Sequence, residues 1–122
     1  EGQLNRQDKN ISAADKDVFR QNLTEIITDP KFEYLFKSNS QDEIELLYNQ
    51  KLIRIDKLII MEDYVEIIDY KTDLDLPSNA NEVKSEYQDQ LALYAAAVQL
   101  HYPNKKIKQK LFYLRHKSFI SL

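Results

Sequence analysis

Apolar residues recur at helical spacing in the first part of this chain. Between Ala13 and Thr28 they return every three or four positions, and Ser12 with Asp15 resembles a capping box at a helix start. Asp29-Pro30 then begins a second, short helix, because proline is favoured in the first helical turn. Residues 1–11 are polar, and we expect them to form a flexible arm.

After these helices the apolar positions follow the pattern of β-strands. Two strand-like runs end at polar breaks near Asn49-Gln50 and Glu62-Asp63, and a third strand is predicted from Tyr64 to Lys71. Helical spacing returns between Val83 and about Leu100, and a further strand is predicted from Ile107 to Leu114. The predicted order is helix, helix, three strands, helix, strand, which is an α/β fold.

Composition is that of one globular domain and excludes several kinds of site. The chain has 122 residues, of which 43% are hydrophobic and 30% are charged. The absence of cysteine excludes a disulfide, a thiolate zinc site and an iron–sulfur cluster in this segment, and a single glycine excludes a glycine-rich phosphate loop. No apolar run approaches the length needed to cross a bilayer, so we expect a cytoplasmic protein without a membrane partner. Because the chain begins with Glu1, we interpret it as an excised piece of a longer soluble protein.

The strongest candidate chemistry follows the apolar run of the third strand. Side chains alternate across a strand, so Asp69 and Lys71 would project from one face, about 6.5 to 7 Å apart along the backbone. Asp56 lies in the preceding strand, and antiparallel pairing would bring it next to Asp69. Taken alone, such acids and lysines are most often solvated cross-strand ion pairs that contribute little stability.

Two further features each allow two interpretations. Tyr87, Gln90 and Tyr94 share one face of the long helix, which is either a half-buried core face or a ridge that contacts nucleic acid or orients metal ligands. The net charge is −3, yet six basic residues lie in a short acid-free stretch, which is either a solvated strand or a phosphate-contacting surface. They are Lys105, Lys106, Lys108, Lys110, Arg115 and Lys117.

Together these motifs resemble a known family. Arg54-Ile55-Asp56, then Asp69-Tyr70-Lys71-Thr72 after an apolar strand, then Gln90-x-x-x-Tyr94 in a helix is similar to the RecB-like branch of the PD-(D/E)XK nucleases. That branch forms the C-terminal domain of AddA/RecB-type, UvrD-like helicase-nucleases. The resemblance covers about Pro30 to Leu114. It implies a restriction-endonuclease-like core with a mixed central sheet flanked by helices, and a single nuclease domain over residues 1–122 of a longer helicase-nuclease.

The resemblance also implies roles for individual residues. Asp56 and Asp69 match the two metal-binding carboxylates, the backbone carbonyl of Tyr70 would bind the same ion, and Lys71 matches the catalytic lysine of the motif. The implied cofactor is Mg²⁺ or Mn²⁺, which suits phosphodiester hydrolysis because hard cations prefer oxygen ligands and activate water. The supporting or DNA-binding residues implied are Glu43, with Glu45 as the reserve candidate, and Tyr87, Gln90 and Tyr94.

One departure from the family concerns histidine. RecB-like nucleases usually place a histidine near the metal from an upstream helix, and neither His101 nor His116 lies there. We therefore expect both to be surface or structural residues and the missing helix to lie outside this chain. The activity of the 122 residues by themselves is left open.

The function implied is that of a Mg²⁺-dependent deoxyribonuclease. We expect an exonuclease that acts on strands delivered by a linked helicase in double-strand-break repair and recombination. Its expected partners are DNA, helicase modules of the same polypeptide and a second helicase-nuclease subunit. Two alternatives stay open: a catalytically weak DNA-holding or docking domain, and a free-standing resolvase or restriction-type endonuclease of the same superfamily.

Overall fold

The computed structural model describes residues 13–122, and side chains from Arg20 onward. The predicted arm over residues 1–11 and the capping box at Ser12 and Asp15 lie outside what is described. Two α-helices are present, α1 (Ala13–Thr28) and α2 (Ser85–His101), with 3-10 helices at Pro30–Phe36 and Ala80–Glu82. The strands are β1 (Ser40–Tyr48), β2 (Lys51–Ile60), β3 (Tyr64–Lys71), β4 (Lys106–Tyr113) and β5 (Ser118–Ser121).

The five strands form one mixed sheet in the order β1-β2-β3-β4-β5. Neighbouring strands are antiparallel except for β3 and β4, which are parallel and are connected through α2. A parallel connection needs such a crossover, and it places the carboxyl ends of β3 and β4 at the same edge of the sheet. The predicted α/β fold with a mixed central sheet is confirmed.

The turn between β1 and β2 follows from two residues with left-handed backbone. Asn49 and Gln50 have φ angles of 50° and 65°, and Tyr48 pairs with Lys51 around them. Positive φ at both central positions is the geometry that matches the twist of a two-residue hairpin, and asparagine tolerates it well. The predicted polar break at this point is therefore a tight turn that sets the β1–β2 register.

Helices cover both faces of the sheet. One core lies between the sheet and α2, and includes Val65, Ile67, Leu91 and Val98. The second core lies on the opposite face, where Ile26 of α1 and the first 3-10 helix pack against Ile68 and other strand residues. Because β3 is buried on both faces, its ionisable side chains are withdrawn from water.

Three boundaries differ from the sequence prediction. The sheet has a fifth strand, Ser118–Ser121, which the order predicted from sequence lacks because four residues carry too little alternation. Strand β1 begins at Ser40, inside the predicted loop. Helix α2 begins at Ser85, whereas Val83 is extended and buried in the α2 core, so burial rather than helical position explains its apolar side chain. No helix within residues 13–122 is long and apolar enough to cross a membrane.

Candidate active site

Asp56, Asp69 and Lys71 meet at the carboxyl end of β3. The β2–β3 register pairs Lys57 with Ile68, so the next position places Asp56 opposite Asp69. The backbone N–H of Tyr70 donates a hydrogen bond of 2.9 Å to Asp56 Oδ2, and Lys71 Nζ lies 2.7 Å from Asp69 Oδ2. The structure thus brings together the three side chains that sequence proposed as catalytic.

An irregularity between β1 and β2 lies beside this cluster. The ladder between these strands skips one facing pair, Glu43 and Asp56, and Glu43 has a φ angle of 51°. Ile55 and Leu58 both lie in the α2 core, although uninterrupted alternation would place residues three apart on opposite faces. Such breaks re-aim side chains near functional sites. The break at Asp56 therefore lets a strand with apolar neighbours turn a carboxylate towards Asp69.

Asp69 carries a buried carboxylate without a hydrogen-bond donor. Its relative exposure is 0%, and neither of its oxygens receives a hydrogen bond within the described residues. The Lys71 ammonium balances the charge at 2.7 Å without meeting hydrogen-bond geometry. A buried carboxylate that lacks donors is costly, and a bound cation would remove that cost.

The pKa of Asp56 shows the effect of placing two acids together. Burial raises this pKa to about 7, and the charge of Asp69 and a hydrogen bond to it act in the same direction. The Tyr70 N–H and the Lys71 ammonium oppose the rise without cancelling it. Near neutral pH the two carboxylates therefore share a deficit of positive charge, as paired acids do at many catalytic centres.

Helix α2 supplies the remaining contacts to Lys71. Lys71 Nζ donates a 3.0 Å hydrogen bond to Gln90 Oε1, and Gln90 Nε2 donates one of 2.9 Å to Tyr94 Oη. The ring centroid of Tyr87 lies 4.0 Å from the same ammonium. Burial, followed by the charges of Asp69 and Asp56, raises the pKa of Tyr94, so its phenol stays protonated. The predicted ridge does face the strand end, while its role in catalysis or DNA binding stays a prediction.

Other predicted residues lie outside the buried cluster. The side chain of Glu43 is 70% exposed and forms a 3.2 Å ion pair with Arg54, and the reserve candidate Glu45 is also exposed. His101 is exposed in the last turn of α2, and a ring nitrogen of His116 lies 2.8 Å from the carbonyl oxygen of Leu74. The proposed metal-binding role of the Tyr70 carbonyl stays a prediction.

Sequence reasoning missed Asp73, which touches the Lys71 environment through Tyr87. The Tyr87 hydroxyl lies 2.9 and 3.0 Å from the two carboxylate oxygens of Asp73. The signal that could have found it is the same alternation that selected Asp69 and Lys71, because Asp73 is the next residue in that two-residue period.

Lys57, the neighbour of Asp56, is buried for a structural reason. Its ammonium donates a 2.7 Å hydrogen bond to the carbonyl oxygen of Leu35 and pairs with Asp42. Since Lys57 pairs with Ile68, it faces the α1 core rather than Asp69. Lys57 therefore fastens the first 3-10 helix to the sheet and takes no part in the cluster.

The donor set fits a hard divalent cation that keeps water ligands. Within residues 13–122 no group of three or more histidine, aspartate or glutamate side chains could hold a metal, so Asp56 and Asp69 provide two carboxylates. Mg²⁺ is commonly bound through one or two carboxylates, with water and substrate phosphate completing the shell. The donor-free oxygens of Asp69 and the raised pKa of Asp56 are what such an ion would relieve.

This arrangement agrees with what comparison with known proteins finds. The family model of the PD-(D/E)XK nuclease superfamily matches residues 13–120, and the chain belongs to that superfamily. Within it, a 56-residue segment covering 46% of the chain is 39% identical to part of AddA, a component of the ATP-dependent helicase/nuclease of Oenococcus oeni. The matched segment is 5% of the length of that protein.

Proposed function

We propose that this domain hydrolyses DNA phosphodiester bonds with Mg²⁺ or Mn²⁺ held by Asp56 and Asp69. One observation carries the proposal: a fully buried Asp69 whose oxygens lack donors lies beside a second acid with a raised pKa and a lysine. Membership of a nuclease superfamily gives the arrangement its chemical meaning. The Tyr70 carbonyl is the third protein ligand that we propose for the same ion.

The cation, when bound, would supply charge neutralisation at the phosphate and a lowered pKa for the attacking water. Asp69 now has its charge balanced by Lys71, and it would exchange that partner for the cation. Lys71 would then keep its hydrogen bond to Gln90 and direct its ammonium at a non-bridging phosphate oxygen. Tyr94 would hold the Gln90 amide, which fixes the orientation of that hydrogen bond.

We further propose that the domain works as the exonuclease of a helicase-nuclease in DNA repair and recombination. The similarity to a component of a helicase/nuclease supports this context, although the matched segment is 5% of that protein. A net charge of −3 suits strands that a linked motor delivers better than strands captured from solution. Helicase modules, a cytoplasmic location and a second helicase-nuclease subunit belong to the same proposal.

A second candidate is a domain that holds DNA or docks on helicase modules without cutting. The Lys71–Asp69 ion pair favours it, because the site balances part of its own charge without any metal. The two candidates differ in metal binding. A nuclease must bind Mg²⁺ or Mn²⁺ through Asp56 and Asp69, whereas a docking domain need not.

The test is a gel assay of DNA degradation and ATP-driven unwinding by the full-length protein. Asp69→Asn and Lys71→Ala should each lower Mg²⁺-dependent degradation by at least about a hundredfold, because a ligand or a transition-state cation is lost. Unwinding should be unaffected, since this glycine-poor chain has no glycine-rich phosphate loop.

Glu66→Gln is the matched control. Glu66 is a second buried acid on β3, paired with Lys110 on the opposite face of the sheet, so degradation should stay near the wild-type rate. Circular dichroism of each preparation shows whether the domain is folded. Wild-type degradation by folded Asp69→Asn and folded Lys71→Ala would contradict the catalytic assignment.

A further inference from the structure

The segment after Lys71 contains a carboxylate that the proposed reaction does not use. Asp73 is 16% exposed by its side chain, and both of its oxygens lie within hydrogen-bond distance of the Tyr87 hydroxyl. The other end of this phenol is the ring face that lies 4.0 Å from Lys71 Nζ. Asp73 is therefore connected to the lysine of the motif through one rigid side chain.

We propose that Asp73 is a positioning residue that holds the Tyr87 ring against the Lys71 ammonium. The inference rests on the proposed function, since it assigns a purpose to the orientation of Lys71. A tyrosine ring is rigid, so a hydrogen bond at its hydroxyl fixes where its face lies. Burial first, and then the hydrogen bond to Asp73, raise the pKa of Tyr87, which keeps the phenol protonated as a donor.

The need for a fixed ring follows from the flexibility of lysine. Lys71 has a long, mobile stem, and three groups now hold its ammonium: Asp69, Gln90 and the Tyr87 ring. Once a cation balances Asp69, only Gln90 and the ring remain of these three. The ring attracts the ammonium without consuming its hydrogens, so they stay available for a phosphate oxygen.

The backbone on either side of Asp73 is anchored by the turn between β4 and β5. Arg115 Nε donates a 2.7 Å hydrogen bond to the carbonyl oxygen of Thr72, and a ring nitrogen of His116 lies 2.8 Å from the carbonyl oxygen of Leu74. Both neighbours of Asp73 are thus held. This explains how a residue outside regular secondary structure can keep a side chain in place.

A simpler role for Asp73 would be its ion pair with Lys84. That pair spans 3.2 Å, but the Lys84 side chain is 59% exposed, and exposed ion pairs contribute little. It would also leave the two short distances to the Tyr87 hydroxyl without a purpose. The two roles differ in whether loss of Asp73 is felt at Lys71.

The first experiment is NMR of the 122-residue chain with ¹³C-labelled lysine. The ε-methylene protons of Lys71, assigned with Lys71→Arg, should be shifted upfield by the Tyr87 ring. Asp73→Ala should move this resonance towards that of an exposed lysine. The resonance of Lys108, whose Nζ lies 3.9 Å from the Tyr64 ring centroid, should stay in place as an internal standard.

The second experiment measures DNA cleavage by the full-length protein. Asp73→Ala should lower kcat about tenfold with KM for DNA unchanged, because an interaction needed for the reaction rather than for binding is lost. Asp73→Asn keeps an oxygen that can accept from Tyr87 and should restore most of kcat. Asp75→Ala removes an exposed carboxylate from the same loop and should leave both kcat and the Lys71 resonance unchanged.

The two experiments fail in distinguishable ways. A Lys71 resonance that does not move in Asp73→Ala, or a kcat that falls no further than in Asp75→Ala, would overturn the positioning role. Failure of Asp73→Asn to recover any kcat would also overturn it. If the wild-type protein cuts no DNA, the proposed function fails, and the Lys71 resonance still decides whether Asp73 positions Tyr87.

Discussion

Strand β3 carries two buried acids, each next to a lysine, and only one of them has the features of a catalytic centre. Glu66 faces the α1 side and pairs with Lys110 at 3.1 Å, while Asp69 faces α2 and pairs with Lys71 at 2.7 Å. The difference lies in what surrounds each pair. Burial of a charge is therefore not enough to identify a site.

The Glu66 pair is a self-sufficient structural contact. Lys110 is 28% exposed by its side chain and lies between the rings of Tyr34 and Phe119, at 5.7 and 5.2 Å from their centroids. Burial alone would lower the pKa of Lys110, but the hydrogen bond and the charge of Glu66 raise it. One acid and one base are balanced here, and water can reach the base.

The Asp69 pair is short of positive charge. Asp56 faces it across the β2–β3 ladder with a pKa raised to about 7, and both Asp69 oxygens lack hydrogen-bond donors within the described residues. Two acids and one lysine leave room for a divalent cation. An unbalanced second acid is therefore what distinguishes the functional pair from the structural one.

The largest expected contrast is in stability when each lysine is removed. Lys71→Met leaves Asp69 buried without a partner and should lower the free energy of unfolding by about 3–5 kcal/mol. Lys110→Met removes a partly exposed partner and should cost about 1–2 kcal/mol. Urea unfolding of both variants at pH 8 measures the difference, and equal losses would remove the distinction between the pairs.

Asp56 gives the next contrast, and it has a pH dependence. Because its folded-state pKa lies above the ordinary 3.8, the folded protein binds the proton more tightly than the unfolded chain. The contribution of Asp56 to stability should therefore fall as pH rises from about 4 to about 7 and stay low above that. Asp56→Asn should raise the free energy of unfolding at pH 8 on the order of 1–4 kcal/mol.

The check is urea unfolding of wild type and Asp56→Asn between pH 4 and 8 without divalent ions. The two curves should separate as pH rises, because only the wild type loses the contribution of the protonated carboxyl. A stability difference that does not change across this range would show that the shifted pKa of Asp56 is wrong. The matched comparison is Glu66→Gln, which should give no gain at pH 8.

The smallest effect is stabilisation by the ion itself. A cation that binds only the folded state at ten times its Kd should add about 1.4 kcal/mol to the free energy of unfolding. Thermal unfolding with and without MgCl₂ measures this for the wild type. Glu66→Gln should keep the gain and Asp69→Asn should lose it, whereas an equal gain in both would place the ion elsewhere.

The sequence was most informative where local pattern determines structure. The order of elements up to β4 follows from two periodicities, and the facing of Asp56 and Asp69 follows from two strands joined by the short turn at Glu62-Asp63. The Gln90 and Tyr94 contact follows from four-residue spacing on α2. Each of these needs only neighbours along the chain.

The remaining features depend on distant partners. The outward position of Glu43 comes from the break in its ladder with β2, and its ion pair with Arg54 could not be derived from spacing. Strand β5 exists because β4 offers an edge to pair with. The link between Asp73 and Tyr87 joins residues 14 apart across an irregular segment. Such contacts are set by the folded arrangement as a whole.

Anomalous scattering from a crystal soaked in Mn²⁺ would show whether the two facing carboxylates bind a metal. We expect one peak between the carboxylates of Asp56 and Asp69, with Lys71 Nζ moved away from its present 2.7 Å contact with Asp69. The ion pair of Glu66 and Lys110 should be unchanged. A soaked crystal without a peak between Asp56 and Asp69, or with its peak at Glu66, would contradict the proposed metal site.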